Sequence, residues 1–281
     1  MRKTSLDTVY KLAKKNKNII FIGSDLGPGV LDNFKKEMPE RFLMEGVSEQ
    51  SIIGLSAGLA MEGFIPYVNT IATFITRRCF EQIVVDLCLH NLPVKLIGNG
   101  GGLVYAPLGP THQAIEDISI MRSIPNMSII SPCDAVEMKA LIEQSVDYKS
   151  PLYIRLARGG DKIITEKKDL IQIGKGIVKI EPQDYLFLTT GVMTQIAIEA
   201  SNFLKKEKNV ECGVIHLGTI KPLDTKLLLE WIPKVKKVVT VEENVLSGGF
   251  GSSILEFTSE HFPENLTKIK RIGLEDKFIE Q

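Results

Sequence analysis

SIISPCDAVEMKALIEQSVDYKSPLYIRL, residues 128–156, contains two short apolar runs on either side of a helical pattern. The runs SIIS (128–131) and LYIRL (152–156) have the length and β-branched content of strands, and Asp134 precedes AVEMKALIEQSV as a helix start signal. Two apolar strands separated by a helix are typical of a parallel sheet that is covered by helices. This stretch therefore predicts a strand–helix–strand unit of an α/β fold.

Five further apolar runs continue the same alternation along the chain. They are NIIFIG (18–23), PVKLIG (93–98), YLFLTTG (185–191), CGVIHL (212–217) and KVVTVEE (237–243). A Gly- and Lys-rich stretch at 159–176 interrupts the alternation, so we expect the domain boundary there. The sequence predicts an α/β protein of two domains, residues 1–165 and 172–281, each a mostly parallel sheet flanked by helices. A length of 281 residues agrees with two domains.

The composition narrows the classes of partner. Lys and Arg together number 34, as do Asp and Glu, and this balance argues against a basic nucleic-acid surface. No apolar stretch reaches the roughly 20 residues that span a bilayer, and residues 1–18 are charged, unlike a signal peptide. The four cysteines are dispersed without a CxxC pair, which favours buried free thiols. We expect a cytoplasmic protein that binds no nucleic acid and no membrane.

Glu49 stands at the head of a run of small and aliphatic residues, SIIGLSAGLAMEG (51–63), with almost no other charge. In the first turn of a helix, the dipole favours the anionic form of a carboxyl group against desolvation. The small residues allow a backbone or a flat ligand to approach the helix closely. Two interpretations stay open: a functional carboxylate in a poorly solvated cleft, or a cap in which Ser48 or Glu49 satisfies free N–H groups.

Three other segments carry candidate functional residues. His112 lies in a loop after a glycine-rich run, where it suits general acid/base chemistry or is simply exposed to solvent. Phe74 could stack on a planar ring or belong to the core. Arg155 and Arg158 lie at the end of a predicted parallel strand, so they suit a phosphate or carboxylate ligand, or form surface ion pairs.

The order and spacing of several motifs resemble the transketolase family. GVSEQ (46–50), GPTHQAIEDI (109–118), RSIPNM (122–127) and YIRLARG (153–159) are similar to its pyrimidine-binding domain, and VEENVLSGGFGSSI (241–254) to its C-terminal domain. A complete transketolase also has an N-terminal domain, whose GDG motif and downstream Asn hold a divalent cation on thiamine diphosphate. This chain contains no GDG. The resemblance implies the C-terminal subunit of a split transketolase, with Mg²⁺ or Ca²⁺ held by an N-terminal partner subunit in an α2β2 heterotetramer.

The resemblance also implies roles for individual residues. Glu49 matches the family glutamate that hydrogen-bonds N1′ of the cofactor's aminopyrimidine and favours its imino tautomer. Phe74 matches the aromatic residue that stacks on this ring, and Asp25 an aspartate beside it. His112 matches a histidine that contacts sugar hydroxyls and assists proton transfer. Glu49 and His112 are therefore the expected catalytic residues, and this chain is expected to supply no metal ligand.

The substrate side departs from the family pattern. Arg158 and Arg2 match arginines that bind the phosphate of sugar substrates, but Leu108 replaces the aspartate before GPTHQ. Gly29 and Gly100 stand where the family has a serine and a histidine. Because the loss of matched hydrogen-bond partners changes substrate preference strongly, we expect two-carbon ketol transfer from a modified ketose to an aldose.

Three other functions stay open. The β subunit of a 2-oxo acid dehydrogenase has the same layout and the same glutamate, whereas GPTHQAIEDI and IPNM favour transketolase. Deoxyxylulose phosphate synthase is normally one long chain. A non-catalytic assembly subunit would have no need to combine Glu49, Phe74 and His112. An exposed apolar surface is expected where the partner subunit binds.

Overall fold

The computed structural model describes residues 1–24, 29, 31–157 and 160–279. Asp25 and Arg158, which the resemblance assigns to the cofactor and to the substrate, lie outside the described residues. Within the described part of the chain, no helix is long and apolar enough to cross a membrane.

The first part of the chain alternates strands and helices. Its first elements are α1 (Arg2–Lys15), β1 (Ile19–Gly23), α2 (Asp32–Glu37), β2 (Phe42–Met44), α3 (Glu49–Met61) and β3 (Ile65–Ile71). A helical segment at 74–88 follows, in which the π-helical turns Phe74–Arg78 and Ile83–Cys88 flank α4 (Phe80–Gln82). The remaining elements are β4 (Lys95–Asn99), α5 (Asp117–Arg122), β5 (Ser128–Ile130), α6 (Ala135–Ser145) and β6 (Leu152–Leu156). The predicted strand–helix–strand unit is confirmed, because β5 and β6 are parallel neighbours and the Asp134 carboxylate caps α6. It accepts hydrogen bonds from the backbone N–H groups of Val136 and Glu137 at 2.8 and 3.0 Å.

The second part continues in the same way. Its elements are β7 (Ile177–Ile180), β8 (Tyr185–Thr189), α7 (Met193–Lys208), β9 (Cys212–His216), β10 (Thr219–Lys221), α8 (Thr225–Trp231), β11 (Lys237–Val245), α9 (Phe250–His261) and β12 (Ile269–Leu274). Between β6 and β7, none of the described residues belongs to a helix or a strand. A domain boundary within this segment stays a prediction.

The strands form two mostly parallel sheets, which confirms the predicted fold class. The larger sheet has seven strands in the order β10-β5-β6-β4-β3-β1-β2, and only β10 runs antiparallel to its neighbour. The smaller sheet has five strands in the order β12-β11-β8-β9-β7, and only β7 is antiparallel. Although β10 lies in the second part of the chain, it pairs with β5 of the larger sheet, with Thr219 opposite Ile130.

Helices cover both faces of the larger sheet. On β1, Ile20 and Ile22 pack in one apolar cluster with α3 and the helical segment 74–88. Ile19 and Phe21 point the other way, into a second cluster with α1, α2 and α6. Strands that are buried on both faces explain the continuous apolar runs of the sequence. All four cysteines are free and buried, as predicted.

Candidate active site

Glu49 is the first residue of α3, and it is only 2% exposed. The Nη1 atom of Arg78 donates a hydrogen bond to Glu49 Oε2 at 2.8 Å, whereas Oε1 has no partner among the described residues. The Ser48 hydroxyl donates to the carbonyl oxygen of Glu45, and no side chain caps α3. The capping interpretation is therefore wrong. Glu49 is a buried carboxylate in an ion pair at the positive end of a helix.

Phe74 and His112 continue this group of residues. The guanidinium carbon of Arg78 lies 4.5 Å from the centre of the Phe74 ring. The Phe74 ring in turn meets the His112 ring edge to face, with centroids 5.2 Å apart. A hydrogen bond of 2.9 Å joins His112 Nδ1 to the Thr111 hydroxyl. The structure thus brings Glu49, Phe74 and His112 together, although their catalytic and cofactor-binding roles stay predictions.

Arg78 is the functional candidate that the sequence reasoning missed. It lies four residues after Phe74, and residues at this spacing are neighbours on a helix. Its position beside an aromatic residue was therefore a usable signal. What the sequence did not show is the contact with Glu49, which is 29 residues away along the chain.

Arg77 holds the loop that carries His112. Its guanidinium pairs with both carboxylate oxygens of Glu116, and the bond from Nη2 to Oε2 measures 2.8 Å. It also donates to the backbone oxygens of Pro110 and Gln113, at 3.2 and 2.8 Å. Bonding to Glu116 raises the pKa of the guanidinium above its ordinary value. The two consecutive arginines thus have separate partners, because neighbouring helical residues point to different sides.

A pocket of about 390 Å³ lies beside Phe74. Its lining residues are Thr73, Phe74, Arg77, Arg78 and Thr111. The Thr73 hydroxyl is buried and has no hydrogen-bond partner in the described chain. An aromatic ring next to guanidinium groups and an unpaired hydroxyl suits a flat ligand with polar edges.

Arg2 lies apart from this group. It begins α1 and lines a second pocket, of about 200 Å³, together with Gly100. Gly100 and Gly29, two of the three departures from the family pattern, have positive φ angles of 80° and 81°. Glycine adopts this conformation without strain, so the backbone itself favours glycine there. The third departure, Leu108, is exposed to solvent.

Arg155 is not available to a ligand. It is buried, and its Nε donates to Asp117 Oδ2 at 2.8 Å. The Tyr153 hydroxyl donates to the same oxygen at 2.8 Å, and Arg155 Nη2 donates to the backbone oxygen of Glu243 at 2.9 Å. The expectation of a ligand-binding residue or a surface ion pair was therefore wrong. Arg155 forms a buried ion pair that also joins the larger sheet to β11.

Cys133, Glu137 and His216 form a buried cluster of possible metal ligands. His216 Nε2 lies 2.9 Å from Glu137 Oε2, and His216 Nδ1 lies 2.7 Å from the Thr194 hydroxyl. The backbone N–H of Cys133 donates to Glu137 Oε2 at 2.6 Å. These hydrogen bonds join α6 to β9 and satisfy the carboxylate and both imidazole nitrogens. A thiol and an imidazole are also unsuitable ligands for Mg²⁺ or Ca²⁺, which prefer oxygen.

Two family models together match most of the chain. Residues 1–160 match the pyrimidine-binding domain of transketolase. Residues 174–281 match the transketolase C-terminal domain. The chain belongs to the transketolase family.

Two curated relatives differ in how much of their length this transketolase-family chain covers. The 1-deoxy-D-xylulose-5-phosphate synthase 1 of Geobacter sulfurreducens is 36% identical over 280 residues, which are 98% of this chain but 43% of that protein. One subunit of the apulose-4-phosphate transketolase of Phocaeicola vulgatus is 34% identical over 280 residues, which are 99% of this chain and 88% of that protein. The chain thus spans less than half of the synthase and most of the P. vulgatus subunit.

Solved transketolases have the same fold. A structure described as a split gene transketolase, inactive beta4 tetramer, superposes with a TM-score of 0.88 at 33% identity and covers 98% of this chain and 88% of that chain. The transketolase of Campylobacter jejuni superposes with a TM-score of 0.79 at 20% identity and covers 99% of this chain and 43% of that chain. At that lower identity, the second similarity shows the fold alone.

Proposed function

We propose that this chain is the C-terminal subunit of a split, thiamine diphosphate-dependent transketolase, which transfers a two-carbon ketol unit from a ketose to an aldose. The observation that carries the proposal is the contiguous group of Glu49, Arg78, Phe74 and His112. Several groups with complementary chemistry in one place support an active site better than any one of them alone. Similarity over 88% of the P. vulgatus transketolase subunit supports the split arrangement.

The residues of this chain fit the pyrimidine end of the cofactor. Phe74 offers an aromatic face beside a pocket, and the buried Thr73 hydroxyl in the wall of that pocket lacks a partner. Glu49 would hydrogen-bond the pyrimidine through Oε1, the oxygen that Arg78 leaves free. When bound, thiamine diphosphate would supply a nucleophilic carbon for the chemistry at the ketose carbonyl.

The proposed roles of the side chains follow from their contacts. Glu49 shares a proton with the pyrimidine, and Arg78 orients the carboxylate for this task. His112 bonds Thr111 through Nδ1, so Nε2 can exchange a proton with a sugar hydroxyl. Arg77 holds the loop at the position where His112 meets Phe74.

We assign the diphosphate and the Mg²⁺ or Ca²⁺ to an N-terminal partner subunit in an α2β2 assembly. Among the described residues, the one cluster of potential metal ligands contains the Cys133 thiol and the His216 imidazole, which suit neither cation. The helix α3 and the helical segment 74–88, which begin at Glu49 and Phe74, also expose apolar side chains: Leu55, Phe80 and Val85, together with Leu89 directly after the segment. An apolar surface next to the proposed site supports a partner subunit at this face.

Reconstitution with an N-terminal subunit that carries GDG tests the proposal. We expect two-carbon transfer only when both chains, thiamine diphosphate and a divalent cation are present. Turnover by this chain alone would contradict the split arrangement. Turnover of xylulose 5-phosphate as efficient as in a housekeeping transketolase would contradict the preference for a modified ketose.

A second candidate function is the synthesis of 1-deoxy-D-xylulose 5-phosphate. It is favoured by relatives with that function at 36% and 38% identity. The same reconstituted pair should then form this product from a 2-oxo acid and an aldose phosphate, with the carboxylate of the 2-oxo acid released as CO2. Product formation from the 2-oxo acid, without ketol transfer from any ketose, would replace the first proposal by the second.

A further inference from the structure

A small pocket lies at the carboxyl end of β4, on the edge of the larger sheet where its parallel strands end. Its volume is about 200 Å³, and its lining residues are Arg2, Asn99, Gly100, Val104, Tyr105 and Ala157. It shares no lining residue with the pocket beside Phe74. Open α/β sheets bind their ligands at this edge.

Three polar groups on the pocket wall lack a partner from the described protein. The Arg2 guanidinium and the Tyr105 hydroxyl make no hydrogen bond or ion pair there. The Asn99 amide nitrogen donates to Asn69 Oδ1 at 2.7 Å and to the backbone oxygen of Thr70 at 3.1 Å. Because a backbone oxygen can only accept, these bonds fix the orientation of the amide and leave the buried Asn99 Oδ1 without a donor. Of the three groups only Asn99 Oδ1 is buried, so its unpaired state points to a ligand, whereas Arg2 and Tyr105 are half-buried and present their polar ends to the pocket.

The Tyr105 ring occupies the space above Gly100. A Cβ atom added at Gly100 would lie 2.2 Å from Cε2 of Tyr105, so any side chain at position 100 would displace the ring. The backbone N–H of Ala106 donates to the Leu103 oxygen at 2.9 Å, and this turn fixes the backbone from which the Tyr105 side chain projects. The ring therefore stands where a side chain of residue 100 would otherwise project.

We propose that Tyr105 determines substrate specificity in this pocket. Its ring takes the place of a side chain at position 100, and its hydroxyl bonds the anionic end of the substrate, with Arg2 as the counter-charge. Guanidinium groups bind oxyanions strongly, and a phenol hydroxyl donates one further hydrogen bond. The identity of the substrate rests on the proposed ketol transfer, whereas binding of its anionic end requires only residues of this chain.

Binding is measured by NMR on the full chain, with ribose 5-phosphate, ribose and inorganic phosphate as probes. We expect ribose 5-phosphate to shift the amide resonances of residues 99–105 and ribose to leave them unchanged. Phosphate alone should shift the same resonances more weakly. In Tyr105→Phe, the affinity for ribose 5-phosphate should fall about fivefold, because one hydrogen bond is lost. Tyr10→Phe removes a tyrosine hydroxyl on α1 that contacts Lys14 and should leave the affinity unchanged.

A pair of glycine variants tests the position of the ring. Gly100→Ala and Gly174→Ala both place a Cβ at a positive φ, 80° and 86°, so both strain the backbone. Only at Gly100 does the added atom meet the Tyr105 ring, because nothing lies within 4 Å of a Cβ at Gly174. Gly100→Ala should therefore weaken ribose 5-phosphate binding, and Gly174→Ala should preserve it. If Tyr105→Phe and Gly100→Ala both bind ribose 5-phosphate with the affinity of the unchanged chain, the inference is overturned.

The reconstituted enzyme separates this inference from the proposed function. In Tyr105→Phe, the ratio of kcat/KM for ribose 5-phosphate to that for ribose as acceptor should fall. If Tyr105→Phe carries out ketol transfer with an unchanged kcat/KM ratio and an unchanged affinity for ribose 5-phosphate, the role of Tyr105 is refuted and the proposed function still holds. If binding of ribose 5-phosphate depends on Tyr105 but the reconstituted enzyme turns over no ketose, the proposed function is refuted and the binding role of Tyr105 still holds.

Discussion

Arg78 links the buried Glu49 carboxylate to the face of the Phe74 ring. Its Nη1 lies 2.8 Å from Glu49 Oε2, and its guanidinium carbon lies 4.5 Å from the ring centre. The sequence around Glu49 is apolar, yet the folded carboxylate has a cation as its nearest partner. One side chain therefore sets the relative positions of the two groups that we assign to the pyrimidine.

Glu49→Gln should lower turnover by at least about 100-fold. The amide cannot accept and return a proton as a carboxyl group does, and removal of general acid/base catalysis typically costs at least about 100-fold in rate. Steady-state ketol transfer in the reconstituted pair measures this loss. Glu62→Gln is the matched control, because Glu62 is an exposed glutamate at the other end of α3. A Glu49→Gln enzyme that binds the partner subunit and keeps its full rate would refute the catalytic assignment.

Arg77→Ala should loosen the loop that carries His112. The variant loses the paired bonds to Glu116 and the bonds to two backbone oxygens of the loop. We expect faster amide hydrogen exchange at residues 109–113 and a fall of about 10- to 100-fold in kcat/KM, because His112 is no longer held in place. Arg77→Lys keeps the charge but cannot form the two parallel bonds to Glu116. Its kcat/KM should therefore lie between that of Arg77→Ala and that of the unchanged enzyme. Unchanged exchange in Arg77→Ala would show that other contacts hold the loop.

Arg155→Met should destabilise the whole chain. It leaves the Asp117 carboxylate buried without its counter-charge, and breaking a buried pair in this way costs about 3–5 kcal/mol. Urea unfolding measures the change in the free energy of unfolding. The double variant Arg155→Met/Asp117→Leu should recover much of the loss, because neither charge of this ion pair is left buried without its partner. Lys234→Met, which breaks an exposed pair with Glu230, should change the stability by less than about 1 kcal/mol.

Lys95 should make stability depend on pH above neutrality. Burial, aided by the charge of Lys149, lowers the pKa of its amine to about 7. The unfolded chain has an ordinary lysine pKa, so it binds more protons than the folded chain between pH 7 and about 10.4. The free energy of unfolding should therefore rise with pH in this window, by at most about 1.4 kcal/mol per unit from this group.

Lys95→Met checks this prediction. The stability advantage of the variant over the unchanged chain should be largest near pH 7 and should shrink by pH 9.5, as measured by urea unfolding. Lys149→Met, which removes the exposed neighbouring lysine, should preserve most of the pH dependence. If the free energy of unfolding changes with pH equally in Lys95→Met and in the unchanged chain, groups other than Lys95 cause the pH dependence.

The sequence predicted most of the strands that bury both faces, with β3 as an exception, and missed β10, which is defined by distant pairing. β6 was predicted at its observed bounds, because LYIRL is a continuous apolar run. β3 was missed although it is central, since Pro66 interrupts a run that otherwise resembles a strand. β10 has three residues and is a strand only because it meets β5, which no local pattern could reveal.

The site was predictable where motifs carried it and not where side chains meet across the fold. Glu49, Phe74 and His112 were singled out from their sequence context, the resemblance assigned their roles, and the structure groups them. Arg78 was overlooked because its importance lies in a contact with another helix. Arg155 was misjudged because position at a strand end suggested a ligand, whereas Asp117 of α5 already satisfies it.

The pairing of β10 with β5 has a consequence for how the protein is made. The chain must have been synthesised at least to Lys221 before the larger sheet can gain its last strand. Until then, the free main-chain groups of β5 form an open edge, and such edges recruit strands from other molecules. A fragment of residues 1–165 should therefore self-associate, and the complete chain should melt in a single cooperative transition.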